Sequence, residues 1–294
     1  MRLKKITGRT FAIDYPSAVG VYVLEDKSCI LIDSGASEVY GRRTLKILEA
    51  RGWHVVAIVN THAHGDHSGG NKHIQDTAGC RIYASPMEAA YLNNPVLAAY
   101  SLYHSVSMQA LKSKFYTVPL GTINNSMDND CLELQGEKFK VWNIPGHSLG
   151  HIGIETPDKV LFAGDSLIEE RIIFRHSFPH LEDVESQFRS LELLKESEMI
   201  YLSHGGLVEN NDRIIASNHE LITNNLALVE KVVKEVCSRE EIIRKLADNH
   251  VFAVKENNYF RLMTTTAAYL AFLHNNGRVG LAVQDGRLVF YPNN

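Results

Sequence analysis

The chain has little that would tie it to a membrane, an oxidising compartment or nucleic acid. No apolar run approaches the length of about 18 residues needed to span a bilayer. The basic start MRLKKITGRTFAIDYP has no apolar stretch of the secretory kind. Its four cysteines (Cys29, Cys80, Cys131, Cys237) are scattered with no CxxC or other tight spacing. Reduced, mostly structural thiols are therefore expected. A net charge of −4 supplies no general attraction to nucleic acid or to an anionic membrane. Repeats, low-complexity tracts and flexible linkers are also missing. The expectation is a cytoplasmic protein with no membrane association. The length of 294 residues, with 45% hydrophobic and 22% charged content, fits one large domain or one medium and one small.

What stands out is histidine, with 14 in the chain, and where it sits. Asn60-Thr61-His62-Ala63-His64-Gly65-Asp66-His67-Ser68-Gly69-Gly70 sets three imidazoles and a carboxylate directly after the apolar run Val55–Val59. Imidazole nitrogen and carboxylate oxygen are the donors that zinc and similar metals take. His62 and His64, two apart, can point the same way from extended backbone. Asp66 and His67 are neighbours and diverge on any regular element, so they converge only at a turn or serve different targets. That geometry hints at two metals.

The rest of the chain is organised to meet this string. Val19–Leu24 and Cys29–Ile32 read as strands around the turn at Glu25–Ser28, and Asp33-Ser34-Gly35 ends the second. A helix follows with Tyr40, Leu45, Ile47 and Leu48 on its apolar face. After the histidine loop, a helix through Asn71–Thr77 stops at Gly79, and Cys80–Ala84 completes a β-loop-α-β unit. Residues 85–120 break the alternation with a helical, aromatic-rich insertion holding Met87, Tyr91, Tyr100, Tyr103, His104, Met108 and Phe115, read either as packed surface or as a substrate wall. Strands return at Leu132–Leu134, Phe139–Ile144, Ile152–Glu155 and Val160–Ala163, then a helix at Asp183–Lys195 and a strand at Met199–Leu202. From about Ser217 helices dominate. Leu221–Val236, Glu240–Ala247 behind the capping box Ser238–Glu241, and Thr264–His274 precede a hairpin, Val279–Val283 and Leu288–Tyr291, turning at Asp285-Gly286. Helices followed by a hairpin resemble a small winged-helix module. Residues 1–215 are thus expected to form one domain, carrying the histidine string, and 216–294 a C-terminal one.

Three further metal-competent residues fall where strands run out: His147 in Pro145-Gly146-His147-Ser148-Leu149-Gly150-His151, Asp165 after Val160–Gly164, and His204 in Ser203-His204-Gly205-Gly206. Polar residues recurring at strand ends, each beside glycine, read as one assembled site. Taken singly, His147, Asp165 and His204 are ordinary surface or capping residues. Together with the HxHxDH string they read as a metal site.

This set resembles the metallo-β-lactamase superfamily, which includes glyoxalase II, lactonases and RNase Z, and the likeness covers its five motifs over roughly residues 10–210. It implies an α/β (α+β) fold, an αββα sandwich with metals at one edge of two sheets. Carried over by position, His62, His64 and His147 would hold one zinc. Asp66, His67 and His204 would hold a second, Asp165 would bridge the two, and Asp33 would orient a ligand. Iron or manganese would suit the same donors. Histidine at 64 separates the chain from the flavodiiron branch, which is similar but has glutamate there. Keeping both Asp66 and His67 favours the dinuclear glyoxalase, lactonase and RNase Z type over true β-lactamases, and no segment is long enough for the β-CASP insertion.

What the resemblance implies is a metallohydrolase in which two metals about 3.5–4 Å apart share a bridging hydroxide. Asp66 and Asp165 would be the catalytic carboxylates, and the substrate a small ester, thioester or lactone. Two alternatives are a phosphodiesterase or ribonuclease using the tail to hold nucleic acid, and a mononuclear-iron sulfur dioxygenase-like oxidoreductase. Residues 217–294 show no basic stripe, which disfavours the nucleic-acid partner. A homodimer through the tail is also compatible with the sequence. Tyr103, His104, His151, His176 and His180 are candidates for substrate contact. No basic cluster matches the glutathione site of glyoxalase II.

Overall fold

The computed structural model describes residues 2–105, 108, 121–123, 125–126, 130–173, 177–249 and 251–293. The first half of the chain runs β1 (Leu3–Thr7), β2 (Thr10–Ile13), β3 (Val19–Val23), β4 (Ser28–Ile32), α1 (Glu38–Glu49), β5 (His54–Val59), α2 (Gly65–Ser68), α3 (Asn71–Ala78), β6 (Arg81–Ala84), α4 (Pro86–Asn93), α5 (Pro95–Tyr103) and β7 (Asn125–Ser126). Among the described residues its strands form one sheet in simple chain order, β1 to β7. β1 to β4 are antiparallel and β4 to β7 parallel. β4 is buried at every position, as a central strand covered on both faces must be. The chain continues with β8 (Cys131–Leu134), β9 (Glu137–Asn143), β10 (Ile152–Glu155), β11 (Val160–Phe162), α6 (Glu170–Ile173), α7 (Val184–Leu194), β12 (Met199–Leu202) and β13 (Gly206–Leu207), which give a second sheet ordered β13-β12-β11-β10-β9-β8.

Three hydrophobic clusters reveal the layering. Tyr22, Ile30 and Val59 of the first sheet meet Phe139, Ile154 and Phe162 of the second between the sheets. Leu45 and Leu48 of α1, Ile74 of α3 and Leu92 of α4 cover the outer face of the first sheet. The outer face of the second packs on α7 and on the elements that follow: α8 (Asn211–Val232), β14 (Cys237–Ser238), α9 (Arg239–Asp248), α10 (Tyr259–Asn275), β15 (Val279–Gln284) and β16 (Arg287–Pro292). Helix, sheet, sheet and helix form the expected αββα order.

The C-terminal elements share one continuous cluster with the second sheet, from Leu161 and Ile200 through Leu191, Val229 and Tyr269 to Phe290. Asp285 and Gly286 both take the left-handed backbone, which turns β15 into β16. Two helices differ from expectation. α8 starts at Asn211, not near Leu221, because the Asn210 side chain accepts the Arg213 N–H and caps it there. It also ends earlier, at Val232. α10 begins at Tyr259, one turn before Thr264. No described helix is long and apolar enough to cross a membrane. The four cysteines are free, three of them buried.

Candidate metal centre

Strand ends bring every expected donor to one edge of the sandwich. β5 runs out at Val59 and the chain bends at Thr61 before reaching His64, whose φ and ψ of −60° and 142° are extended. The chain then winds into the single turn α2, where the Ser68 hydroxyl reaches the carbonyls of Ala63 and His64 at 3.1 and 3.0 Å. Gly70 makes room for the return. A Cβ there would lie 2.3 Å from the Ser34 carbonyl oxygen and 3.1 Å from Gly41 Cα, where α3 begins beside α1. His147 follows β9, Asp165 follows β11 and His204 follows β12.

Two donor sets result. His62, His64 and His147 form one, and Asp66, His67, Asp165 and His204 the other; within each set the ligand atoms lie within 4.8 Å of one another. The turn at α2 gives Asp66 and His67 a common direction, with Asp66 Oδ2 3.7 Å from His67 Nε2. Asp165 faces both sets: Oδ1 lies 3.3 Å from His67 Nε2 and 3.5 Å from His204 Nε2, and Oδ2 3.7 Å from His147 Nε2. Both donor sets fit divalent metal. Nε2 of His62 and of His67 are fully buried with no hydrogen-bond partner, which is costly unless something else binds them. Nitrogen and oxygen donors without thiolate suit zinc and its neighbours.

Electrostatics separate the sets. Burial, with the neighbouring imidazoles, keeps His62 well below the ordinary histidine range, and burial and His180 push His64 down to about 4. Burial also holds His147 well below its usual value, so this set is neutral and ready to ligate. In the other set burial opposes charge, yet Asp165, Asp66 and Asp33 raise His67 well above the usual value, and Asp165 with Asp66 raises His204. Burial likewise works against ionising Asp165, but His67 and His204 hold it well below the carboxylate range. Carboxylates and imidazoles there share charge that a cation would replace.

Outer contacts fix which nitrogen His62, His67 and His204 present. Asp33 is buried with its backbone in the left-handed region, φ 62°. Its Oδ1 accepts the Thr61 N–H at 2.8 Å, and Oδ2 accepts the Thr61 hydroxyl at 2.9 Å. His67 Nδ1 lies 2.8 Å from that same Oδ2. Thr61 Oγ1, its proton given to Asp33, is then an acceptor for His62 Nδ1 at 3.1 Å. One carboxylate thus turns Nε2 of His62 and of His67 inward. Similarly, His204 Nδ1 donates to the Pro16 carbonyl, leaving Nε2 for the site. We expect Asp33→Asn, which keeps an αL-tolerant side chain, to weaken metal binding by about 10–100-fold. Chelator competition on the variant would measure it; wild-type affinity would contradict the role.

The candidate substrate residues divide. His151 is a correction: it is almost fully buried, its Nε2 accepts the Asp165 N–H at 3.1 Å and its Nδ1 lies 3.1 Å from Ser166 Oγ. Neither nitrogen is left for a substrate. Burial pushes this imidazole down to about 3, and its ring stacks on His62 at 4.9 Å. His180 lies beside the three-histidine set. Its ring centroid lies 5.4 Å from those of His64 and His147, its Nε2 is buried without a hydrogen-bond partner and lies 3.5 Å from Glu182 Oε1. Nδ1 lies 3.4 Å from Thr265 Oγ1 of α10. Tyr103 is buried edge-on to Phe260 of α10 at 4.9 Å. His104 is exposed at the left-handed end of α5. His176 lies outside the described residues, as do residues 109–120 of the insertion.

Sequence reasoning missed two carboxylates. Glu88, 1% exposed, accepts from Ala63 N, Ser148 Oγ and Gly150 N. Burial pushes it up to about 7 against those hydrogen bonds. Glu182 accepts the Leu149 N–H at 3.1 Å. The only local signal at Glu88 was Ser85-Pro86-Met87-Glu88, which reads as an ordinary helix start.

Comparison with known proteins agrees with this geometry. The family model of the metallo-beta-lactamase superfamily matches residues 14–204, a span that contains all seven donors. The chain belongs to the metallo-β-lactamase superfamily. Among relatives, a hydroxyacylglutathione hydrolase of Hyphomonas neptunium is 30% identical over 162 residues, 55% of this chain but only 44% of that protein. An atrochrysone carboxyl ACP thioesterase of Passalora fulva is 23% identical over 272 residues, 88% of this chain and 71% of the relative. The chain thus spans under half of the first relative's length. In structure, a β-lactamase domain protein from Burkholderia ambifaria superposes with a TM-score of 0.79 over 99% of this chain and 94% of its own, at 16% identity. A metallo-β-lactamase family protein from Thermus thermophilus gives 0.71 over 97% of each chain at 21% identity. At those identities the likeness is one of fold, and in this superfamily member the fold includes α8 to β16.

Proposed function

We propose that this protein is a dinuclear zinc hydrolase of small acyl substrates, with thioesters ahead of esters and lactones. The observation that carries the reading is the pair of donor sets with Asp165 facing both. Thioesters come first because the names of two relatives describe removal of an acyl group from glutathione and from an ACP.

His62, His64 and His147 would hold one zinc, and Asp66, His67 and His204 the other, with Asp165 shared. Two such ions supply a Lewis acid for the scissile carbonyl and bring the pKa of a water toward 7. The chain's own groups do the rest. Despite burial, His67 and His204 hold Asp66 and Asp165 below the usual carboxylate range, so as the catalytic carboxylates they would balance cationic charge. His180, whose ring lies beside those of His64 and His147, would orient the acyl substrate. The elements from α8 onward are read as a winged-helix-like module on the catalytic fold; because α8 runs unbroken from Asn211, the boundary moves from 215/216 to before Asn211. Its helix α10 would help close the site where Thr265 meets His180. No serine or cysteine nucleophile is required.

The test is a hydrolysis panel on zinc-loaded protein, with thioesters, lactones, a chromogenic phosphodiester, a β-lactam and single-stranded RNA. Thioester turnover that chelation abolishes and zinc restores is expected, with about two zinc ions per chain. Cleavage confined to the phosphodiester or RNA would overturn the acyl assignment, and a single iron per chain would overturn the dinuclear one.

A further inference from the structure

We propose that Glu88 is the positioning residue that sets the geometry of the His62–His64–His147 donor set, independently of the other set. The inference rests on the metal reading above but on no particular substrate. His62 and His64 hang from β5 in one sheet, and His147 hangs from β9 in the other. The Ile152 N–H donates to the Thr61 carbonyl at 3.0 Å where the two loops leave their sheets, and no other backbone hydrogen bond joins the loops among the described contacts. Glu88 spans the gap from a third element, α4. Its Oε2 accepts the N–H of Ala63, the residue between His62 and His64, at 2.8 Å. Its Oε1 accepts the hydroxyl of Ser148, next to His147, at 2.7 Å, and the Gly150 N–H at 3.1 Å. The Ser85 hydroxyl, one turn earlier, donates to the Gly150 carbonyl at 2.6 Å. One side chain therefore fixes both loops at once.

The second donor set is anchored elsewhere: His67 on Asp33, His204 on the Pro16 carbonyl, and the Asp165 backbone on His151. Glu88 hydrogen-bonds to none of those anchors among the described contacts. A fully buried carboxylate is an expensive way to fill space, and a packed apolar side chain would do so at lower cost. What an apolar side chain lacks is three convergent acceptor bonds. Glu88→Gln preserves shape but turns one acceptor into a donor, which then opposes either Ala63 N–H or the Ser148–Gly150 pair.

Stepwise zinc titration of chelator-treated protein against a chromophoric competitor tests this. Wild type should give two steps. Glu88→Gln should weaken one by about 10–100-fold, the range for groups that orient ligands, and leave the other within about twofold. In a His204→Ala background, which retains the three-histidine set, Glu88→Gln should weaken the remaining step. In a His147→Ala background it should change nothing. Parallel weakening of both steps, or no change in either, would overturn the proposal. Ser148→Ala removes one arm only and covers the event that Glu88→Gln fails to fold. It should weaken the same step by a smaller factor, and an unchanged step would count against the proposal equally. Because no substrate is involved, failure of the hydrolysis panel leaves this result readable.

Discussion

Asp165→Asn is expected to reduce turnover by at least about a thousandfold and to lower bound metal. The Asp165 carboxylate is the group that reaches both donor sets, Oδ1 toward His67 and His204 and Oδ2 toward His147. Asparagine keeps the size and one acceptor but substitutes an NH2 group that cannot ligate a cation, and it removes a negative charge that both donor sets face. The backbone N–H of residue 165 still reaches His151, so the loop should hold its path. That separates a ligand effect from a folding effect: circular dichroism of the metal-free variant should match wild type while metal content and turnover fall. Full turnover in Asp165→Asn would refute the shared-ligand assignment. His64→Ala should behave alike for turnover, with the loss centred on the three-histidine set.

The largest stability effect is expected between the sheets. Phe139 is completely buried and meets Tyr22 edge-on, ring centroids 5.2 Å apart, so it joins β9 to β3 across the sandwich. Phe139→Ala should cost about 3–5 kcal/mol, the range for large aromatic deletions in packed cores. Lys138→Ala, one position along the same strand and exposed, should cost about 0.5 kcal/mol or less. Urea unfolding of the metal-free forms measures both. A Phe139→Ala loss below about 1 kcal/mol would mean that the two sheets hardly depend on each other.

Much of the site could be read in the sequence because each donor is local to its own signal. An apolar strand, a glycine and a metal-competent side chain recur at Val55–Asp66, Val141–His147 and Val160–Asp165, and strand order alone then brings the ends together. The orienting network was less legible. Asp33 came from the family resemblance, but that it serves His67 directly and His62 through Thr61 depends on contacts across 28 and 34 positions. Glu88 depends on contacts across 25 to 62 positions and looks locally like a helix-start residue. His151 went the other way: motif density suggested substrate contact, whereas the fold spends both its nitrogens on the backbone and hydroxyl beside Asp165. The early start of α8 was hidden by polarity. Asn218 is buried not by hydrophobicity but by hydrogen bonds from its amide to Ile168 and Ile214 and from the Ile168 N–H. A polar residue with tertiary partners looks the same in sequence as one facing water.

The division of the donors between the two sheets has a consequence for the chain as a polymer. His62, His64, Asp66 and His67 sit on loops of the first sheet, and His147, Asp165 and His204 on loops of the second. A cation held in either set would therefore act as a reversible cross-link between distant points, 83 positions apart for His64 and His147. Closing a loop of that length removes freedom from the unfolded chain worth on the order of 4 kcal/mol in the loop-entropy picture. The same ions proposed to serve hydrolysis would then also brace the two halves of the sandwich, and withdrawing them would leave their register to the apolar contacts between the sheets.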